Sequence, residues 1–218
     1  MAEPDAAELD KPTIVNWSLA ELGLAANFTV DDHSRIGGVV AIFWPRAIAR
    51  CFGLHDWTFC RRTAELTRLV DAPQTGYRYG FELPGDRLGE PVKLLSDPRN
   101  ETPIRDFRIE GDTLSCDSPA AYAVCKVMVD PRRWDWQFAD CFAVALAACL
   151  AIPLTQDAEL AAEKEKRAFG TPSEGGAGGM FGRLIAQNRG AHPVGSPLLR
   201  NDPLTVAGGR ALDWHGKF

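Results

Sequence analysis

The segment Phe138 to Ile152 constrains the fold more than any other part of the chain. It is rich in Ala, Leu and Cys and nearly uncharged, so none of its faces suits water. A helix of that kind is stable only when it is covered on all sides. It is therefore expected to be a buried helix, ended by Pro153, whose ring and missing N–H break a helix interior. Its longest apolar run, Ala143 to Ile152, is well short of the ~20 residues that cross a bilayer. No membrane partner is expected.

The covering elements can be read on either side of it. Residues 1–12 form an expected disordered leader ending at Pro12. From Ile14 to Leu24, Ile14, Val15, Leu19 and Leu22 with the flanking Trp17 suit an amphipathic helix closed by Gly23. Asp32 or Ser34 is placed to cap a second helix, running to about Phe52 and stopped by Gly53, with a kink near Phe43 caused by Pro45. Beyond Pro153 a fourth helix begins near Thr155 or Asp157 and carries Glu159, Glu163, Lys164, Lys166 and Arg167 on a polar face. The run Thr171 to Gly179 reads as a hinge, and Met180 to Gln187 is a short apolar segment that resumes a helix. From Arg189 the chain is rich in Gly and Pro and ends in a tail carrying Trp214 and Phe218.

Between the second and third helices the texture changes. Leu66 to Val70, Tyr77 to Leu83, Val92 to Leu95, Arg105 to Glu110 and Ala123 to Val129 are short β-branched or aromatic runs. Pro73, Pro84-Gly85-Asp86, Asp97-Pro98, Glu110-Gly111-Asp112 and Ser118-Pro119 separate them. The expected fold class is α+β and mainly α. A bundle of about four helices (13–170) holds a small antiparallel β region at about 64–130, and a hinge with an extended docking tail (171–218) follows.

Composition excludes some functions. Hydrophobic residues make up 45% of the 218, and the formal net charge is −5. A chain of that length can bury a core without metal or disulfides. The negative balance argues against broad binding to nucleic-acid phosphates, which needs clustered Lys and Arg. Residues 1–11, MAEPDAAELDK, are polar and acidic where a secretory leader is basic and then apolar, so synthesis in a cytoplasm is expected. Cys51, Cys60, Cys116, Cys125, Cys141 and Cys149 include no C-x-x-C pair, which makes a zinc site unexpected. They read as buried reduced thiols. Cys141 and Cys149 rise about 12 Å apart along one helix and do not pair within it.

Catalytic motifs are sparse. The sequence contains no G-x-x-x-x-G-K-[ST], no H-E-x-x-H and no G-x-S-x-G. His33, His55, His192 and His215 are scattered, and the cluster Gly175 to Gly179 follows no clear strand. No catalytic residue, cofactor or metal is expected, and the function is expected to lie in a surface.

Read in order, several segments resemble one family. His55-Asp-Trp57-Thr-Phe59-Cys60-Arg-Arg62, followed by Leu66, looks like the signature of tail tubular protein A, a bacteriophage head-to-tail adaptor family. That signature has His-Pro-Trp-Asn-Phe-Ala, then basic residues and a leucine. Gly76-Tyr77-Arg-Tyr79-Gly-Phe81-Glu-Leu83-Pro84-Gly-Asp86 resembles the family's strand, and Phe107-Arg-Ile109-Glu110-Gly111-Asp-Thr-Leu114 its short hairpin. Val129-Asp130 through Trp134-Asp135-Trp136-Gln-Phe138 resembles the approach to its third helix, and Leu150-Ala151 with Leu154-Thr155 its close. The likeness covers about residues 13 to 170. Asp56, Thr58 and Cys60 depart from the signature, Ala-Val-Cys125 replaces an aromatic, and the tail has no counterpart.

The resemblance implies a virion protein of the neck, made in a host bacterial cytoplasm. It implies a homo-oligomer, a ring of about twelve copies, that binds the portal protein and the next tail component. Genomic DNA passes through the lumen without sequence readout. Trp57 and Phe59 would anchor the exit of the second helix, and Trp214 and Phe218 would dock on a partner. A stopper or tail-completion protein, or a small enzyme with a site assembled from scattered residues, are the competing expectations.

Overall fold

The computed structural model describes residues 8–99, 101–174 and 178–190. Its first helix, α1 (Lys11–Glu21), starts three residues ahead of the apolar periodicity. The Asp10 carboxylate accepts from the Thr13 N–H at 2.8 Å, and Pro12 sits in the first turn, where a missing N–H costs nothing. Leu9 is already buried. Residues 8–12 are therefore part of the folded unit and not leader; residues 1–7 lie outside the described residues. Gly23, at φ +70°, turns the chain away after α1.

The Ser34 hydroxyl accepts from Ile36 and Gly37 and caps α2 (Arg35–Gly53). Gly37 is required there, because a Cβ would lie 1.8 Å from the Asp32 carbonyl oxygen. The helix continues through Pro45 as one element.

The apolar segment forms α3 (Trp136–Thr155), with Asp135 accepting from Gln137 and Phe138 at its start. Nearly every residue from Phe138 to Ala151 is buried. Pro153 does not end it. Its missing N–H forfeits one helical hydrogen bond, the one to the Cys149 carbonyl, and the helix runs on to Thr155. The helix closes at Gln156, which adopts a left-handed conformation (φ 59°) and donates to the Ile152 carbonyl at 3.0 Å. Asp157 then caps α4 (Ala158–Phe169), and α5 (Gly179–Gly190) follows. α1, α2, α4 and α5 all pack on α3. The described residues thus carry five α-helices where about four are expected, because Met180 to Gln187 belongs to a full helix.

The insertion between α2 and α3 is two small antiparallel sheets, not one. β1 (Arg61–Glu65), β8 (Tyr122–Lys126), β4 (Lys93–Asp97) and β5 (Thr102–Pro103) are neighbours in that order in the first. β2 (Thr67–Arg68), β3 (Tyr79–Glu82), β7 (Thr113–Cys116) and β6 (Phe107–Glu110) are neighbours in the second. Phe81 and Leu114 of one sheet share an apolar cluster with Leu94, Ala123 and Cys125 of the other. The helices keep a separate core built around α3. The architecture is α+β, with helices on either side of a β insertion in the chain.

By length and composition α2 and α3 each reach what a membrane span needs, because both helices extend beyond their apolar runs. α3 is 67% buried inside the fold over that window, as a core helix is. For α2 the figure is only 28%.

Candidate functional site

The segment joining α2 to β1 converges on the helical core through aromatic rings. Trp57 is 1% exposed, and its indole N–H donates to the Cys51 carbonyl at 3.0 Å. That carbonyl belongs to the last turn of α2, where no helical N–H follows to bond it. Lys126 of β8 donates to the carbonyls of Phe52 (3.0 Å) and His55 (3.4 Å), so two side chains from outside the helix complete its end. The Phe138 ring lies 5.2 Å from Trp57 and from Phe52, and 5.3 Å from Trp134. Most of these contacts are edge-to-face, the arrangement that aligns a positive ring edge with a negative ring face. Phe59 is half-buried at 4.8 Å from Phe138, and Phe181 of α5 stacks on Phe169 at 5.3 Å. The structure thus places Trp57 and Phe59 together at one junction of α2, α3, α5 and the sheets.

A cleft of about 470 Å³ opens beside this junction, between Thr58, Phe59, Arg133, Gln137 and the Leu184–Asn188 end of α5. His55 and Asn188 meet at 3.2 Å across one side. Burial holds the His55 imidazole below its ordinary pKa, against the raising influence of Asn188. Asp56, where the signature has proline, forms an ion pair with Arg61 at 2.6 Å. Its carboxylate stitches the turn to β1.

The thiols are enclosed as well. Cys51, Cys60, Cys116, Cys125 and Cys141 are buried and Cys149 is half-buried, and none is in a disulfide. Burial pushes Cys60 up to about 11 and Cys141 up to about 12, and raises the other four. A thiol must ionise to react, so alkylation of the native chain at pH 8 is expected to be slow, and rapid once denaturant is added. Equal rates in both conditions would contradict this burial. The same shifts carry a pH dependence. The unfolded chain loses these protons near pH 9 while the folded chain still holds them, so stability is present below pH 9 and falls between pH 9 and about 11. Thermal melts across that window check it.

Among the described residues no group of three or more His, Cys, Asp or Glu is placed to hold a metal ion. His33 is exposed, while His192, His215, Trp214 and Phe218 lie outside the described residues. Gly178 and Gly179, expected to be part of a hinge, instead pack tightly. Gly178 donates to the Phe169 carbonyl at 2.9 Å, and a Cβ on Gly179 would lie 2.5 Å from the Arg167 carbonyl oxygen. This is a close corner between α4 and α5.

Sequence reasoning missed the outward side of α2. Gly38, Ala41, Ile42, Pro45, Ala49 and Gly53 are exposed there, with Ile42 at 59%. The signal was available, since no polar residue other than arginine appears between Ile36 and Gly53. A second uncovered apolar region is the cleft of about 520 Å³ between α1 and α3, walled by Trp17 and Trp136. Neither a known protein-family model nor a curated protein matches this sequence.

Proposed function

We propose that the chain is a structural subunit of a bacteriophage neck, a head-to-tail adaptor that forms a ring between portal and tail. The observation that carries this reading is the uncovered face of α2. An enzyme of this size needs a cleft lined by convergent titratable groups, whereas a ring subunit needs apolar surface left over for its neighbours. The ordered likeness of residues 13 to 170 to the tail tubular protein A family supports the same reading. On it, α1 to α4 are the bundle of four helices, α5 seals the aromatic junction, and Trp214 and Phe218 dock on a partner. Portal, next tail component and further copies of the chain are its partners. With a net charge of −5, a lumen built from such subunits would repel DNA and let it slide.

Size-exclusion chromatography of the chain mixed with the portal protein encoded beside it tests the partnership. Co-elution in one large complex is the expected result. Separate elution, or retention of duplex DNA by the isolated subunit at physiological salt, would contradict it.

A further inference from the structure

α2 is apolar on both sides and covered on one. Val40, Ala47, Ile48, Cys51 and Phe52 are buried against the core. Gly38, Ala41, Ile42, Pro45, Ala49 and Gly53 are exposed, and their spacing of three or four residues puts them in one stripe along the helix. A helix that is apolar all round is normally enclosed. Among the described residues nothing supplies the other half of the enclosure.

Charge indicates what supplies it. α2 carries Arg35, Arg46 and Arg50 and no carboxylate. Arg35 donates to the Pro153 carbonyl at 2.7 Å; Arg50 pairs with Glu165 and lies 3.7 Å from the centre of the Phe169 ring. Arg46 is exposed within the outward stripe, 5.2 Å over Phe43, with no carboxylate partner among the described residues. The cleft between α1 and α3 is its complement. Trp17 and Trp136, with ring centres 6.0 Å apart, pack on each other as one aromatic wall, and Ala20, Glu21, Asp140 and Ala143 line the rest. Trp136 is 53% exposed. Of the two carboxylates lining the cleft, Glu21 is held by Lys164 (3.0 Å) and Arg167 (2.7 Å). Asp140 is exposed with no cation beside it among the described residues.

The geometry points to a contact between copies of this chain in which the outward stripe of α2 seats in the Trp17–Trp136 cleft of the next copy. Arg46 then lies over the indoles, where a guanidinium is attracted by the ring faces, and pairs with Asp140. The small residues Gly38, Ala41 and Ala49 let the two backbones approach closely. Because ridge and cleft are different patches, the contact is head-to-tail and does not stop at a dimer; it gives a ring where the rotation between copies closes. The inference rests on the adaptor reading and names the interface that closes its ring. A bilayer is another taker of an apolar helix face, but Arg46 interrupts the stripe at its middle.

Sedimentation velocity on the full chain, alone and with the portal protein, tests this with Arg46→Asp, Asp140→Arg and the double reversal. Both side chains are exposed, so the variants should keep the native circular-dichroism spectrum and melting behaviour. Each single reversal is expected to weaken self-association about tenfold or more, and the double to restore it. Trp136→Ala, which alters no charge, is expected to weaken it as well. Single variants that assemble like the wild type, or a double no better than the singles, would overturn the pairing and leave the ring reading standing. A wild-type chain that stays monomeric with and without the portal protein would overturn both. Flotation of the chain with phosphatidylglycerol–phosphatidylethanolamine vesicles, abolished by Ile42→Asp, would assign the stripe to a bilayer and also overturn the inference.

Discussion

Replacing Trp57 with alanine is expected to cost about 3–5 kcal/mol, a large part of the stability of a domain this size. The side chain is 1% exposed and touches the rings of Phe138, Phe59 and Phe181, which belong to three different parts of the fold. Its loss would leave a cavity where α2, α3, α5 and the β insertion meet, and rigid helices do not collapse into such a space. The indole N–H adds a separate contribution. Trp57→Phe retains a ring but leaves the Cys51 carbonyl without its 3.0 Å partner, at about 1–3 kcal/mol. Denaturant unfolding should therefore rank wild type above Trp57→Phe above Trp57→Ala. Val70→Ser, at a fully exposed position, is the control and should shift stability by less than about 0.5 kcal/mol. A Trp57→Ala protein as stable as that control would show that the junction does not hold the fold together.

The second large effect is expected at a glycine. Gly179 has φ +57°, a conformation that side chains rarely adopt, and a Cβ there would lie 2.5 Å from the Arg167 carbonyl oxygen and 2.8 Å from that of Ala168. Gly179→Ala therefore combines backbone strain with overlap against backbone atoms that end α4, at about 2–3 kcal/mol. The effect should be regional. α5 carries Phe181, fully buried against Phe169 and Trp57, so displacing its first turn exposes that ring and loosens the cleft beside Asn188. Hydrogen exchange should show lost protection across α5, with α3 protected as before. Unchanged protection of α5 together with an unchanged melting temperature would contradict the close corner.

Much of this organisation was legible in residues, for physical reasons that also explain the gaps. α3 is readable because a long uncharged run has only one stable environment. The capping positions are readable to within a pair, Asp32 or Ser34 and Thr155 or Asp157, because a side-chain oxygen there satisfies N–H groups at a helix start; the structure selects Ser34 and Asp157. The start of α1 was misplaced because Lys11, Pro12 and Thr13 carry no apolar signal; Asp10 and Pro12 were the available clue. Pro153 misled because a proline's cost depends on its distance from the helix end. β1, Arg-Arg-Thr-Ala-Glu, was invisible as a strand because it lies at a sheet edge and is mostly exposed, so no alternation marks it. β7, Thr-Leu-Ser-Cys, was not expected as a strand, and it joins β3 to β6 in the second sheet. At the junction, Trp57 and Phe59 were named through the family resemblance, and His55 was given no role of its own. Asn188 was not named, because nothing in a lone amide at the end of a helix announces a partner 133 positions away.

The outward stripe of α2 links fold to function: the same apolar composition that packs one side of the helix into the core leaves the other side uncovered among the described residues. The most direct measurement is native mass spectrometry of the chain alone and mixed with the portal protein encoded beside it. The account predicts a ring of about twelve copies formed only or mainly with the portal protein. A chain that remains monomeric in both samples would contradict it.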